Sequence, residues 1–322
     1  MDTGPRRDIL KKPALYLAFL MAFFTAGFLN WLIGESHSHL LVHLPQKIED
    51  RPSYLYSLTG GEKGALEQPV AVAVSEEKEL VYVADVGTDR VCVFDKNSGR
   101  YLYSIGERGK GAGEFNYPYG LAVFSDGRLW VSDPENFTVQ EFDAKGRYLR
   151  TIGVAAYGIK PGLMCLGQGG RVYISDLARH RIVIFDARGR YMGEIKAGLT
   201  HPQGILADSS GSLWVVDEAQ CQIKKITGKK VVCSVIVPGR VLPLGMVKGL
   251  AADNLYRLMV TQPFANRVLV YDGRGRLLFT FGQSEDLEEG LNLPVGITVD
   301  EDGRIYVANR GDGRVAVWGY PG

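Results

Sequence analysis

The segment VYVADVGTDRVCVFDKNSGRYLYSIG, beginning at Val81, returns five more times, and nothing else in the chain narrows the fold as far. Its echoes are LWVSDPENFTVQEFDAKGRYLRTIG from Leu129, VYISDLARHRIVIFDARGRYMGEI from Val172, LWVVDEAQCQIKKI from Leu213, LMVTQPFANRVLVYDGRGRLLFTFG from Leu258 and IYVANRGDGRVAVW from Ile305. In this alignment the second strand of each unit ends at Asp85, Asp133, Asp176, Asp217, Thr261 or Asn309, at intervals of 48, 43, 41, 44 and 48 residues. A period in the forties, with several short alternating strands per unit, is the pattern of β-propeller blades.

Each unit reads as four strands. The first is short and apolar, as in GLAVF from Gly120, GILAD from Gly204 and GITVD from Gly296. The second is aromatic and β-branched. The third opens on Arg90, Arg181, Arg267 or Arg314 and runs to an aromatic residue; the fourth is of the YLYSIG type. Val, Ile, Tyr, Phe and Trp at period two suit a pleated, half-buried surface. Gly99, Gly146, Gly189, Gly228 and Gly275 fall in the turns between third and fourth strands, where a hairpin asks for positive φ. The sixth unit stops at VAVWGYPG without a fourth strand, whereas SYLYSLTG from Ser53 precedes the first complete unit. The expectation is that residues 53–60 complete the last blade and close a ring of six. Closure would remove exposed sheet edges. The fifth unit departs furthest from the pattern, around Thr261.

Before the ring, Ala14 to Ile33 carries no charge over twenty residues, the length of a helix that spans a bilayer. Arg6, Arg7, Lys11 and Lys12 precede it, while Glu35, His37, His39 and His43 follow. The positive-inside rule then puts residues 1–13 in the cytoplasm, a single transmembrane signal-anchor helix at 14–33, a linker at 34–52 and the propeller, 53–322, outside an inner or plasma membrane. A cleaved, secreted form is the competing reading, but a signal peptide has a shorter apolar run ending in a small-x-small site. The formal net charge of +1 gives no general reason to expect nucleic acid or anionic lipid as partner.

Four cysteines invite a disulfide argument. Cys92 and Cys165 lie within apolar strands and read as small buried hydrophobes. Cys221 and Cys233 flank the Thr227-Gly228 turn, where a bridge across the hairpin is sterically open but geometrically demanding. Asn136-Phe137-Thr138 is a glycosylation sequon, relevant only in a eukaryotic source.

The DxxxxRI/V-x-v-F/Y-D arrangement preceded by P-x-G resembles the NHL repeat. Matching positions include Pro118-Tyr119-Gly120, Pro202-Gln203-Gly204, Pro294-Val295-Gly296, Asp85 with Arg90-Val91, Asp176 with Arg181-Ile182, and Asn266-Arg267-Val268. Arg is missing at Thr138-Val139 and Gln222-Ile223, and Asp at Thr261 and Asn309. The resemblance implies an all-β, six-bladed propeller. Its Asp and Arg are read as structural, a carboxylate ending one strand and a guanidinium opening the next.

Propellers that the resemblance brings to mind include amidating lyases, the related lactonases, RNA-binding domains and extracellular sensor or interaction domains, so function has to come from sites. The lyases hold zinc with three histidines, whereas only His180 and His201 fall within this ring. Lactonase-like propellers place carboxylates on the inner strands around a cation; here Asp208, Asp253 and Asp300 come after those strands and read as turn acids. There is no GxSxG elbow and no phosphate-cradling Gly-rich loop. RNA binding needs a basic face in a nucleic-acid compartment, which the expected topology removes. The sequence therefore points to a non-catalytic scaffold or sensor module without metal or cofactor, with a propeller enzyme as the alternative and an RNA-binding domain as a second. Its expected partner is a protein or small ligand. The expected binding face carries the loops from second to third strands and those linking blades, and on it Arg108, Tyr119, Phe137, His180, His201, Phe264 and Arg310. Arg and aromatics on loops are the residue types of interface hot spots. Charges in the opposite turns, such as Lys96, Lys145 and Arg188, are expected to matter little to binding.

Overall fold

The computed structural model describes residues 51–60, 64–238, 246–284 and 289–321. Six four-stranded antiparallel sheets follow one another along the chain. The first blade comprises Pro69–Ser75, Leu80–Asp85, Arg90–Asp95 and Tyr101–Ile105, from the inner strand outward. The innermost strands of the next four are Gly120–Val123, Pro161–Gly167, Pro202–Ala207 and Leu250–Ala252. The sixth blade runs Pro294–Val299, Ile305–Asn309, Arg314–Gly319, and its outer strand is Ser53–Leu58 from the other end of the ring. Ser57 there lies opposite Ala316 and Leu58 opposite Val315. The uncharged run at 14–33 lies outside the described residues; among those described, no helix is long and apolar enough to cross a membrane.

Alternation explains the core. Strand residues that point to one side meet the preceding blade, and those that point to the other meet the following one. Six hydrophobic clusters result, each filling the gap between two neighbouring blades. One joins the last blade to the first, packing Tyr306, Val315, Val317 and Leu58 against Val72, Val81, Val83 and Phe94.

The P-x-G signature has a steric reason at its glycine. A Cβ on Gly249 would lie 2.3 Å from the Val295 carbonyl oxygen, and one on Gly296 would lie 2.7 Å from both Val70 O and Ala71 Cα. These glycines let the backbones of adjacent inner strands approach around the axis. Ser132 and Thr261 complete the seam. Ser132 Oγ accepts from Gly120 N–H and donates to Gly162 O, and Thr261 Oγ1 accepts from Gly249 N–H and donates to Val295 O. Thr261 is thus the counterpart of Ser132. The residue opposite Arg267 that ends the fifth blade's second strand is Gln262, which corrects the alignment of that unit by one position.

The repeated carboxylates are structural hubs. Asp85, fully buried, accepts from the Glu67, Gln68 and Gly87 N–H groups and from Thr88 Oγ1. Asp176 pairs with Arg181 at 2.8 Å. In the fourth blade, where Arg is missing, Lys224 reaches Asp217 at 2.7 Å from two residues further along. In the second, Asn136 donates to Asp133 instead. Asn309 keeps the acceptor for Asn292 N–H in the sixth, and in the fifth Gln262 accepts from Arg267 Nε.

Asp208, Asp253 and Asp300 each accept from backbone N–H groups of the turn they open, such as Ser210, Leu255 and Arg304. Lys96 behaves differently from Lys145 and Arg188. It is 6% exposed and its Nζ sits 2.5 Å from Glu76 and 3.0 Å from Asp302, so this turn residue binds the first blade to the last. No disulfide joins the four cysteines; Cys233 lies opposite Lys225, while Cys221 precedes Gln222, which faces Ile236. That register separates them along the hairpin.

Candidate binding face

Every turn between second and third strands carries one left-handed residue just before the third strand: Asp89, Phe137, His180, Cys221, Asn266 and Gly313, with φ from 50° to 62°. The strain of a non-Gly residue in this region is small for Asp, His and Asn and larger for Phe. Buried hydrogen bonds of the preceding carboxylate or amide hold these turns. They share one face with the loops that link blades, so the sequence-expected residues all lie on it, in different settings.

Phe137 and Phe264 are about half exposed, at 48% and 47%. Lys160 Nζ stands 5.7 Å from the centre of the Phe137 ring and bonds to Glu135 at 3.0 Å. His180 is exposed. Arg108 projects into solvent, its Nε 3.7 Å from Asp89, whose carboxyl burial holds above the usual range in spite of that charge. Beside Phe137, Asn136 spends its amide nitrogen on Gly109 O and Asp133, which makes the sequon a structural turn.

Tyr119, His201 and Arg310 are each tied to another side chain. Tyr119 is not a surface contact: it is 9% exposed, stacks on Tyr117 at 5.8 Å between ring centres and donates to Gln203 Oε1 at 3.3 Å. Burial pushes its phenol up. Gln203 in turn donates from Nε2 to Glu218 Oε2 at 3.0 Å. The buried Glu218 carboxylate also meets His201 Nδ1 at 2.8 Å and Lys248 Nζ at 2.7 Å. Burial alone would raise its pKa, but the His201 hydrogen bond and the Lys248 charge outweigh it and hold the group below the ordinary carboxylate value. A carboxylate only accepts, so Nδ1 carries the proton and Nε2 faces away from the pair. Arg310 Nη2 bonds to Gln68 Oε1 at 2.7 Å.

Gln203, Glu218 and Lys248 were not among the residues expected from sequence. Tyr119, Gln203 and Lys248 each stand directly before an inner-strand glycine, and Glu218 directly follows the Asp217 hub. Next along the inner strands, Leu121, Leu163, Ile205, Leu250 and Ile297 line a small axial cavity of about 60 Å³. Gly204 and Gly249, which follow Gln203 and Lys248, also line it, so the polar cluster lies beside this cavity. Among the described residues no group of three His, Cys, Asp or Glu side chains is arranged to hold a metal ion.

Comparison with known proteins agrees with this architecture. Residues 65–161 match a family model described as a 6-bladed beta-propeller, and residues 291–318 match the NHL repeat. The molecule is a six-bladed β-propeller. More particularly, it is a propeller that carries the NHL repeat. The chain is 29% identical over 118 residues to the protein brain tumor of Drosophila melanogaster, a match covering 35% of this chain and 11% of that protein. It is 30% identical over 95 residues to the human E3 ubiquitin-protein ligase NHLRC1, covering 30% of this chain and 24% of that one. The matched segments thus span a quarter or less of these relatives. Among solved structures, virginiamycin B lyase from Staphylococcus aureus superposes with a TM-score of 0.61 at 15% identity, over 84% of this chain and 99% of that one. Hydrazine synthase of Kuenenia stuttgartiensis gives 0.60 at 15% identity, over 78% and 95%. Likeness at that level concerns the fold alone.

Proposed function

We propose that this protein is a binding module, a rigid propeller tethered outside a membrane by residues 14–33, which recognises a protein or small ligand through its loop face and performs no catalysis. The observation that carries this reading is the pairing of half-exposed aromatics, Phe137 and Phe264, with turns locked by buried polar hubs. Rigid presentation lowers the ordering cost of binding, and aromatics on such loops serve as anchors. The relatives and structural neighbours named above include a ubiquitin ligase and a lyase, so the fold they share does not choose among functions.

The test compares two double variants of the full chain in detergent, Phe137→Ala with Phe264→Ala, and Leu255→Ala with Tyr256→Ala in a turn of the opposite face. Loss of partner capture in the first pair alone supports the reading. Loss in the second pair alone overturns it. Tethering is tested separately by protease added to intact cells, which should digest the propeller and spare the N-terminus; a released protein lacking the first 33 or so residues would replace the anchor with a cleaved signal.

A further inference from the structure

On the face opposite the loops, one turn departs from its own repeat. The turn from first to second strand carries glycine in the second, fourth and sixth blades, at Gly127, Gly211 and Gly303, with φ from 78° to 88°. Each of these glycines follows a polar residue, Asp126, Ser210 or Asp302. In the fifth blade the same two places hold Leu255 and Tyr256. The turn closes alike, Tyr256 N–H donating to Asp253 O at 2.9 Å as Gly303 N–H does to Asp300 O at 3.0 Å. The tyrosine therefore takes a left-handed φ of 58°, which its side chain disfavours. Neither side chain is taken into the core: Leu255 is 47% and Tyr256 69% exposed.

The turns between third and fourth strands lie at the same end of the blades, since Leu258, Tyr271 and Leu277 stand side by side in register. In blades two, three and five each such turn holds one acid and two cations. Arg147, Arg190 and Arg276 close onto Asp143, Asp186 and Asp272. The other cation, Lys145, Arg188 or Arg274, is exposed and makes no ion pair among the described residues. Lys229 and Lys230, also exposed, stand at the fourth blade's turn. The net charge of +1 thus conceals cations gathered along one face. The described chain begins here too. Ser53 lies opposite Gly319, and Arg257, next in sequence to Tyr256, stands over the Tyr320 ring at 4.3 Å. Residues 34–50 alone separate this end from the proposed anchor.

We infer that this turn face rests on an anionic lipid surface, with Leu255 and Tyr256 in the interfacial layer and Lys145, Arg188, Lys229, Lys230 and Arg274 over the headgroups. The inference takes the tether from the reading above and adds the surface on which the ring docks, leaving Phe137 and Phe264 on the opposite face free for a partner. Tyrosine favours the membrane–water interface. Each Lys or Arg near an anionic surface strengthens the contact by about fivefold, and a tether makes such individually weak contacts intramolecular.

The experiment reconstitutes the full chain in nanodiscs of phosphatidylcholine, alone or with an equal share of phosphatidylglycerol, and reads side-chain exposure by hydroxyl-radical footprinting. Leu255, Tyr256 and Leu277 are expected to oxidise more slowly with the anionic lipid, by about threefold or more, and Phe137 and Phe264 equally in both. Salt near 1 M, which cuts the screening length to about 3 Å, should restore the exposure. Leu255→Asp with Tyr256→Gly gives the turn the Asp302-Gly303 sequence of the sixth blade, so this variant should melt no lower than wild type while Leu277 loses its protection. Lys145→Glu with Arg188→Glu and Arg274→Glu should also expose Leu277. Equal oxidation of the three reporters in both discs, equal protection of Phe137 and Phe264, or a protected Leu277 in either variant would each overturn the inference. Protection in native membranes but not in discs of lipid alone would assign the face to a protein and overturn it as well. A chain protected at low salt that leaves the disc at high salt removes the anchor and keeps the docking face; a chain that stays in the disc unprotected keeps the anchor alone.

Discussion

Asp85→Ala should be among the most damaging single substitutions in this ring, and the structure says by how much. The carboxylate is fully buried and accepts three backbone N–H groups and one hydroxyl. Two of those N–H groups, of Glu67 and Gln68, belong to the segment that leads from the closing strand into the first blade. Alanine leaves all of them without acceptors. At about 1–3 kcal/mol per unsatisfied buried group, and with water reaching the partly exposed ones, the loss comes to about 3–6 kcal/mol. Set against a total stability of roughly 5–15 kcal/mol, that lowers the melting temperature of a ring of about 270 residues by about 5–11 °C. Asn309 performs the same task in the sixth blade with an amide, accepting from Asn292 N–H through Oδ1. Asp85→Asn should therefore recover about half of the loss. Denaturant unfolding of the full chain, followed by far-ultraviolet circular dichroism, measures both variants. An alanine variant within about 1 kcal/mol of wild type would show that the hub carboxylates are not what holds the turns.

Three further outcomes are expected. Lys96→Glu should cost about 3–5 kcal/mol, because it inserts a negative charge among Glu76, Asp300 and Asp302, whereas Lys145→Glu should be nearly neutral; equal melting of the two would refute the seam. Gly249→Ala should destabilise by about 2 kcal/mol or more, since its Cβ would meet the Val295 carbonyl at 2.3 Å, while Gly153→Ala, with nothing within 4 Å, serves as the control in the same melt. Glu141 is buried between Arg128 and Arg150, which overcome the opposing effect of burial and hold its carboxyl below the usual range. Its contribution is therefore present above the unfolded carboxylate value near pH 4.3 and lost as pH falls through the lower folded value. The stability gap between wild type and Glu141→Gln should be full at pH 7 and narrow below about pH 4; a gap independent of pH would refute the assignment.

Much of the fold was legible because each level of the sequence repeats the same instruction. Alternation marks the strands, glycines such as Gly146 with φ 78° mark their turns, and the Asp or Asn ending each second strand sets the phase. The phase slipped only in the fifth blade. Its inner strand is just Leu250–Ala252, and glutamine replaces the acid, so nothing local distinguishes Thr261 from Gln262. Lys96 resembled a solvated turn lysine because its partners come from the far end of the chain, at Asp300 and Asp302. The axial cluster was hidden for a similar reason. Tyr119, Gln203 and Lys248 meet only after blades two, four and five are set around a common axis. The available signal was chemical: the residue before the inner-strand glycine is valine at Val295 but aromatic, amide or cationic at these three positions.

That difference separates two kinds of conserved-looking geometry within one repeat. The hub position faces into the turn, where a carboxylate or amide is satisfied in every blade, by backbone N–H groups in five of them and by Arg267 and the Pro238 carbonyl in the fifth, and it leaves little for a ligand to use. The position before the glycine faces the axis, where the repeat makes no structural demand on the side chain, as the valine of the sixth blade demonstrates. Polar groups placed there raise the cost of folding unless they pair, and in the fourth and fifth blades they pair with Glu218 rather than with the repeat itself. That buried acid follows its own hub by one residue and is balanced by groups from two blades, so it joins the fourth blade to the fifth. Side chains before the glycine therefore differ from blade to blade where the hub does not, which is why the centre of the face, rather than its aromatic rim alone, is where chemistry specific to this protein should be sought.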